Sequence, residues 1–134
     1  MLGVTAAVIM KNENVLICQR AKDDDAGLFW EFPGGKMEEG ETPEECIIRE
    51  IKEELDLDIR VTGILAETDY YYNKRVHFTF FQAEITGCDM KLLVHDDAKW
   101  VPIEALKDYE FFPADQPVVD MLMRNHKKEG AVKH

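Results

Sequence analysis

Three glutamates stand at helical spacing in the segment REIKEEL of residues 49 to 55: Glu50, Glu53 and Glu54. Residues three and four positions apart are neighbours on a helix surface, and like charges at that spacing destabilise a helix by roughly 0.2–0.5 kcal/mol per pair. A solvated acidic face is the usual meaning of such a stretch. The alternative is a site for a hard cation, whose charge offsets the repulsion.

The apolar residues of the same helix fix where the glutamates point. At about 100° per residue, the apolar positions fall within a quarter turn, and the glutamates occupy the next quarter. These apolar positions are residues 47, 48, 51 and 55. Carboxylates that border a buried stripe are partly desolvated, so their mutual repulsion is poorly screened. Oxygen ligation of this kind suits Mg²⁺, with Mn²⁺ as the second choice.

Two glycines precede this helix, in the segment WEFPGGK of residues 30 to 36. Gly34 and Gly35 let the backbone come close to a ligand, so a carbonyl there could join the carboxylates as a metal ligand. A plain turn is the alternative. Lys36 and Arg20 are cations that could contact phosphate.

A hairpin, a loop and a helix are predicted to position these residues. Val4 to Met10 and Val15 to Gln19 are β-rich runs separated by KNEN, which favours a turn. Residues 21 to 28 form a polar loop, and irregular backbone follows at Pro33 and the two glycines. The helix is expected at 43 to 55, because Thr42 can cap it, Pro43 suits its first position and Glu45 completes a capping box.

The remainder of the chain predicts further strands and a closing helix. Strands are expected at about 59 to 72, 75 to 86 and 99 to 101, followed by a helical turn at 103 to 108. Ala114 or Asp115 opens a last amphipathic helix. The pattern predicts an α/β fold, a mixed sheet between helices, in one domain of residues 1 to 127. Residues 128 to 134 are expected to be a frayed tail.

Composition excludes some classes of partner. The chain has 134 residues and a formal net charge of -11, which argues against a protein that grips nucleic-acid polymers through phosphate contacts. Its N-terminal apolar run is too short to span a membrane. The three cysteines, Cys18, Cys46 and Cys88, have no zinc-like spacing, so reduced thiols in the cytoplasm are expected. The protein is expected to be a monomer or a homodimer.

Taken together, several of these residues resemble the Nudix box, the signature of the Nudix hydrolase superfamily. Gly35 is followed after five residues by Glu41, and after seven more by the sequence Arg-Glu-Ile-x-Glu-Glu, so the box covers residues 35 to 57. The flanking pieces WEFPGGK, QRA, AKW and FFPADQPVV resemble the MutT-like branch. The resemblance implies a Nudix α/β/α sandwich in which Glu50, Glu53 and Glu54 bind activating metals. It also implies a pair between Arg49 and Glu41 that holds the loop and the helix in register.

Two positions depart from the family pattern. Asp56 replaces the glycine that usually follows the box glutamates, although Asp tolerates the left-handed conformation expected there. Val94 replaces a glutamate that MutT-like relatives carry six residues before the tryptophan, here Trp100. A valine cannot ligate metal or accept a proton. If that role exists in this chain, it passes to His95, Asp96, Asp97 or a box glutamate, and Asp96 is our candidate metal ligand.

The resemblance implies hydrolysis of a nucleoside diphosphate linked to another group, and the MutT-like flanks imply a nucleoside triphosphate cleaved to monophosphate and pyrophosphate. Glu50 or Glu53 is our first choice of general base. The alternatives are a nucleotide sugar or a dinucleotide as substrate, or a nucleotide-binding domain without catalysis.

One aspartate and several aromatic and cationic residues are candidates for binding the base and phosphates. Asp115 stands where MutT-type 8-oxo-dGTPases carry asparagine, and an ionised Asp only accepts hydrogen bonds, which suits an amine such as cytosine N4. A helix cap is the alternative role of Asp115. The further candidates are Phe32, Tyr70, Arg75 and His77.

Overall fold

The computed structural model describes residues 2–23 and 27–132, so part of the predicted loop at 21 to 28 lies outside the described residues. Strands β1 (Leu2–Lys11) and β2 (Asn14–Gln19) form the predicted antiparallel hairpin, with Met10 opposite Val15. The two turn residues between them, Asn12 and Glu13, have φ of 52° and 67°. Such left-handed pairs match the twist of a two-residue hairpin.

The sheet contains seven strands and is mixed. The remaining strands are β3 (Trp30–Glu31), β4 (Gly34–Lys36), β5 (Asp58–Tyr72), β6 (Lys74–Gly87) and β7 (Asp97–Pro102). The main order is β3-β2-β1-β6-β5, while β4 pairs with β1 and β7 pairs with β2. Strand β1 runs parallel to β6 and antiparallel to β4 and β2. The prediction of irregular backbone was wrong at β4, because its glycines pair with Thr5 and Ala6.

Helix α1 (Pro43–Leu55) begins and ends where the sequence predicts. The Thr42 hydroxyl accepts from the Glu45 N–H at 3.1 Å, and the Glu45 carboxylate accepts from the Thr42 N–H at 2.9 Å. This is the predicted capping box. At the other end Asp56 adopts φ 53°, ψ 36°, and its N–H donates to the carbonyl of Lys52. Asp56 therefore adopts the left-handed conformation expected at this position.

Two hydrophobic clusters lie on opposite faces of the sheet, and strand alternation separates them. Along β1, Ala7 and Ile9 join the cluster under α1, whereas Ala6 and Val8 join the other cluster, which α2 (Gln116–Val132) covers. The fully buried isoleucine and leucine side chains of α1 contribute about 1.5–3 kcal/mol each. This arrangement confirms the α/β class and the mixed sheet between helices.

The C-terminal part differs from the prediction. A 3₁₀ helix (Ile103–Asp108) occupies the expected helical turn, and α2 then continues to Val132. The helix passes the boundary that we predicted at residue 127, so the tail expected from residue 128 is helical as far as residue 132. Among the described residues, no helix is long and apolar enough to cross a membrane.

Candidate functional site

A cavity of about 690 Å³ lies where the sheet meets the C-terminal end of α1 and the segment before α2. The structure brings eight of the predicted site residues to its wall: Arg20, Phe32, Gly34, Gly35, Lys36, Glu54, Tyr70 and Asp115. One end of the cavity is acidic and the other end is aromatic, and a strip of charged residues joins the two ends.

The acidic end is built around Glu50 and Glu54. Gly35 packs so closely on Glu50 that a Cβ there would lie 2.3 Å from the carboxyl carbon, so a larger residue requires the Glu50 carboxylate to move. The side chain of Glu54 is 13% exposed. Burial, then the neighbouring Glu50 and Glu31 carboxylates, raise the pKa of Glu54 to about 9, while the Gly34 N–H opposes the shift.

Arg49 holds the acidic residues in place. Its Nε donates to Glu41 at 2.6 Å, and its other nitrogens donate to Glu50 at 2.9 Å and to Glu53 at 3.1 Å. It also donates to the carbonyl of Lys36 at 3.1 Å, which ties α1 to β4. The Arg49 guanidinium lowers the pKa of Glu41 to about 2. The predicted pair of Arg49 and Glu41 is therefore present in the structure, and it joins the loop to the helix.

Hard-metal ligation fits the donors at this end. The buried Glu54 Oε1 has no hydrogen-bond partner, and it lies beside a second carboxylate and close-packed glycine backbone. An oxygen atom left unpaired in this way is an available ligand for a hard divalent ion. In the part of the chain that the structure describes, however, no three His, Cys, Asp or Glu side chains already converge to hold a metal. The Glu53 side chain is 58% exposed and pairs with Arg49, so its role as a ligand stays a prediction.

Asp96 does not face the acidic end. Its carboxylate accepts from the N–H of Lys22 at 3.2 Å, and Asp96 is absent from the cavity wall. The residue therefore fastens the loop after β2. This contact does not support its assignment as a metal ligand, which stays a prediction. Val94 does reach the cavity wall, with no donor atom, as its side-chain type requires.

The aromatic end surrounds Asp115. This residue is 3% exposed, and its Oδ2 accepts from the N–H of Phe32 at 2.8 Å. The carboxylate thus holds the backbone after β3 through this bond. Burial raises the pKa of Asp115 well above its usual range, against the effect of the Phe32 N–H. The raised pKa favours the protonated carboxyl, which can donate as well as accept, so the expectation of an acceptor-only side chain stays a prediction.

Aromatic rings complete this end of the cavity. Tyr70 packs against Phe78 and Phe112 with centroid distances of 6.5 and 6.2 Å, and Phe32 packs edge-on against Phe80. Tyr70, Phe32, Phe78 and Phe112 all line the cavity. Such a wall offers π-faces to a planar ring.

Arg75 and His77 lie on the other side of the sheet. They alternate along β6 with Val76 and Phe78, which face the cavity, so their own side chains point away from it. His77 bonds to Asp69 at 2.7 Å and to Glu67 at 3.1 Å. Both residues are thus removed from the candidate binding site, because strand alternation places them on the wrong face.

Several residues of the wall were not predicted as site residues. Lys74 and Asn73, at the turn between β5 and β6, add a cation and an amide at the cavity mouth. Glu31 and His95 lie between the acidic and aromatic ends. Glu31 is part of the WEFPGGK segment, which could have identified it, whereas His95 was named only as one of several replacements for Val94.

Comparisons with known proteins identify related chains. The profile of the NUDIX domain matches residues 1–122. The chain is 32% identical over 130 residues to the CTP pyrophosphohydrolase of Escherichia coli, covering 92% of each chain. It is 32% identical over 123 residues to the 8-oxo-dGTP diphosphatase of the same organism, covering 89% of this chain and 95% of the relative. The solution structure of the E. coli ORF135 protein superposes with a TM-score of 0.83 at 28% identity, covering 92% and 89% of the two chains.

Proposed function

The chain belongs to the Nudix hydrolase family, and from this premise we propose that it is a Mg²⁺-dependent nucleoside triphosphate pyrophosphohydrolase. It converts a ribo- or deoxyribonucleoside triphosphate and water to the monophosphate and pyrophosphate. The observation that carries the proposal is one cavity with two chemically distinct ends. Glu54 lines one end, next to the Glu50 carboxylate that packs on the wall residue Gly35, and Asp115 lies among aromatic rings at the other. The triphosphate of a nucleotide would lie at the acidic end while its base lies at the aromatic end.

Nudix hydrolases generally use a divalent metal ion. Glu50, Glu54, Glu53 and the Gly34–Gly35 backbone would hold it here. When bound, the ion supplies neutralisation of phosphate charge and a lower pKa for the attacking water.

The protein's own residues orient the carboxylates and receive the proton. Arg49 fixes Glu50 by its 2.9 Å bond, so the carboxylate has one defined position beside Gly35. Glu50 or Glu53 then accepts the proton of the attacking water as general base. The water oxygen bonds to one of the two phosphorus atoms of the α–β linkage, the bond between that phosphorus and the bridging oxygen breaks, and the bridging oxygen leaves with the other product. Lys36 and Lys74, which line the cavity, supply positive charge toward the phosphates.

Two base classes are compatible with the aromatic end. The names of the two E. coli relatives mention CTP and 8-oxo-dGTP, which favours a cytosine or an oxidised guanine nucleotide. Asp115 serves both classes, because the ionised carboxylate accepts from an amine and the protonated carboxyl also donates. We therefore propose removal of modified or surplus nucleotides as the role.

The proposal extends to partners and location. A net charge of -11 does not favour nucleic-acid polymers, so the partner is a free nucleotide. Cys18 and Cys46 are buried free thiols, which supports the reducing cytoplasm as its location.

A substrate panel tests this function. The protein is incubated with Mg²⁺ and separately with 8-oxo-dGTP, CTP, 5-methyl-dCTP, ADP-ribose and diadenosine polyphosphates, and the products are identified by chromatography. We expect pyrophosphate and a monophosphate from one of the triphosphates, with loss of turnover in EDTA and recovery on adding Mg²⁺. Preferential cleavage of ADP-ribose or of a dinucleotide would replace the proposed substrate class. Absence of turnover with every substrate would contradict the proposed reaction.

A further inference from the structure

Glu31 shares its two carboxylate oxygens between two cavity residues. Its Oε1 accepts from Arg20 at 2.8 Å, and its Oε2 lies 2.8 Å from Nε2 of His95. The His95 side chain is 3% exposed and that of Glu31 is 16% exposed. Because a carboxylate only accepts, Nε2 carries the hydrogen in this bond. The three side chains therefore form one connected unit, the Arg20–Glu31–His95 strip.

The strip lies between the acidic and aromatic ends of the cavity. The Arg20 guanidinium stands 5.1 Å over the Phe112 ring at the aromatic end. At the acidic end, His95 Nε2 is 4.0 Å from Glu54 Oε1. A nucleotide that spans both ends must pass Arg20. The position of the Arg20 guanidinium is set in part by the Glu31 carboxylate.

His95 is delivered to the strip by an otherwise exposed loop. Among residues 84 to 100, only the His95 side chain is fully buried. Backbone bonds hold the loop on either side, from Leu93 to the carbonyl of Glu54 at 3.1 Å and from Asp96 to the carbonyl of Gln19 at 3.1 Å. The loop thus places one imidazole against Glu31 and leaves its neighbours at the surface.

We propose that His95 is a positioning residue for substrate binding, which fixes the Glu31 carboxylate and through it the orientation of Arg20 toward the bound nucleotide. The inference rests on the proposed function. It assigns His95 a role in nucleotide affinity. It does not assign His95 the metal ligation or proton acceptance that Val94 cannot perform. Without the His95 bond, Glu31 can rotate, and Arg20 loses the rigidity of one of the contacts that hold it over the cavity.

The test compares four single variants in Mg²⁺ with 8-oxo-dGTP and CTP, together with Glu31→Ala and its double variant with His95→Phe. His95→Phe keeps the ring shape and removes the donor, and His95→Asn removes the donor at the ε position with a smaller side chain. His95→Gln keeps an N–H donor at that position. Leu92→Ala, in the same loop and outside the cavity wall, is the control. Thermal unfolding verifies that each variant is folded, and the Asn variant serves if the Phe variant does not fold.

For His95→Phe and His95→Asn we expect KM to rise about tenfold, the effect of losing one hydrogen bond to a charged group, with kcat within about threefold of wild type. His95→Gln and Leu92→Ala should remain close to wild type. In a Glu31→Ala background, His95→Phe should cost nothing further, because its effect passes through Glu31. A fall in kcat with unchanged KM would place His95 at the metal end and overturn the inference, as would an additive double variant.

Binding separates this inference from the proposed reaction. If the wild-type protein hydrolyses neither nucleotide, calorimetry with CMP and 8-oxo-dGMP measures affinity directly, and His95→Phe should still weaken it about tenfold. Equal affinity of the two proteins overturns the inference while leaving the reaction to its own test. A wild-type protein that neither hydrolyses nor binds these nucleotides would refute both.

Discussion

Replacing Gly35 with alanine should remove most of the activity without unfolding the protein. The added Cβ would lie 2.3 Å from the Glu50 carboxyl carbon, whereas ordinary contact begins near 3.4 Å. The carboxylate must therefore retreat by about 1 Å. That movement strains the 2.9 Å bond between Glu50 and Arg49 and displaces the Glu50 carboxylate from the acidic end of the cavity.

A displacement of about 1 Å in a catalytic group can lower turnover by about 100-fold, so we expect a fall in kcat of that order for Gly35→Ala. The unfolding free energy should change by less than about 1 kcal/mol, because the displaced atoms are the end of a flexible side chain. Steady-state kinetics with the preferred triphosphate and thermal unfolding measure the two effects.

Two other glycines provide matched comparisons. Nothing lies within 4 Å of a Cβ at Gly63, so Gly63→Ala should leave both kcat and stability unchanged. A Cβ at Gly34 would lie 1.9 Å from the Thr5 carbonyl oxygen, so Gly34→Ala should destabilise the pairing of β4 with β1. The reasoning is refuted if Gly35→Ala retains kcat within about threefold of wild type, or if it loses stability as Gly34→Ala does.

Three further predictions concern single side chains. Glu53→Gln should lower kcat by orders of magnitude while leaving the melting temperature unchanged, because Glu53 is 58% exposed; near-normal turnover would exclude a catalytic role. Asp115→Asn should shift preference from cytosine toward oxidised guanine nucleotides. In the wild-type protein, preference for cytosine should grow with pH as the carboxyl of Asp115 ionises. An unchanged ranking of substrates would leave Asp115 only as the partner of the Phe32 backbone. Hydrogen bonds that the imidazole donates to Asp69 and then to Glu67 raise the pKa of His77. Its stabilising effect is therefore complete below about pH 6.5 and is lost as pH rises through the raised value. The gap in unfolding free energy between wild type and His77→Gln should be under about 1 kcal/mol and close at high pH, since the side chain is 38% exposed; a gap that widens with pH would contradict this sign.

Local signals explain why α1 was predicted to the residue. Thr42, Pro43 and Glu45 specify its start through contacts made within one turn, and Asp56 accepts the left-handed conformation that ends it. Strand β4 depends instead on a partner about 30 residues away in the chain, and its glycines give no strand signal. Long-range pairing of this kind cannot be read from local propensity.

The candidate site likewise contains features that local sequence patterns predict and features that depend on long-range contacts. The alternation of Val76 and Phe78 with Arg75 and His77 was visible in the sequence, and it was sufficient to place the latter pair on the opposite face. The contact between Glu31 and His95 joins residues 64 positions apart, and no local pattern signals it. Charge state was equally hidden, because the raised pKa of Asp115 comes from burial by the folded chain.

The aromatic end of the cavity has a consequence for how this protein can diversify. Phe32, Phe78 and Val76 form its wall and also belong to the hydrophobic cluster beneath α2. Variants that reshape this wall to admit a new base must therefore sacrifice packing that keeps the chain folded. Changes in substrate range are cheaper at Lys74 and Asn73, which reach the cavity from an exposed turn. In a lineage of such proteins, substitutions that change nucleotide preference should occur first at that turn. Substitutions at the aromatic end should follow only after stabilising changes have accumulated elsewhere.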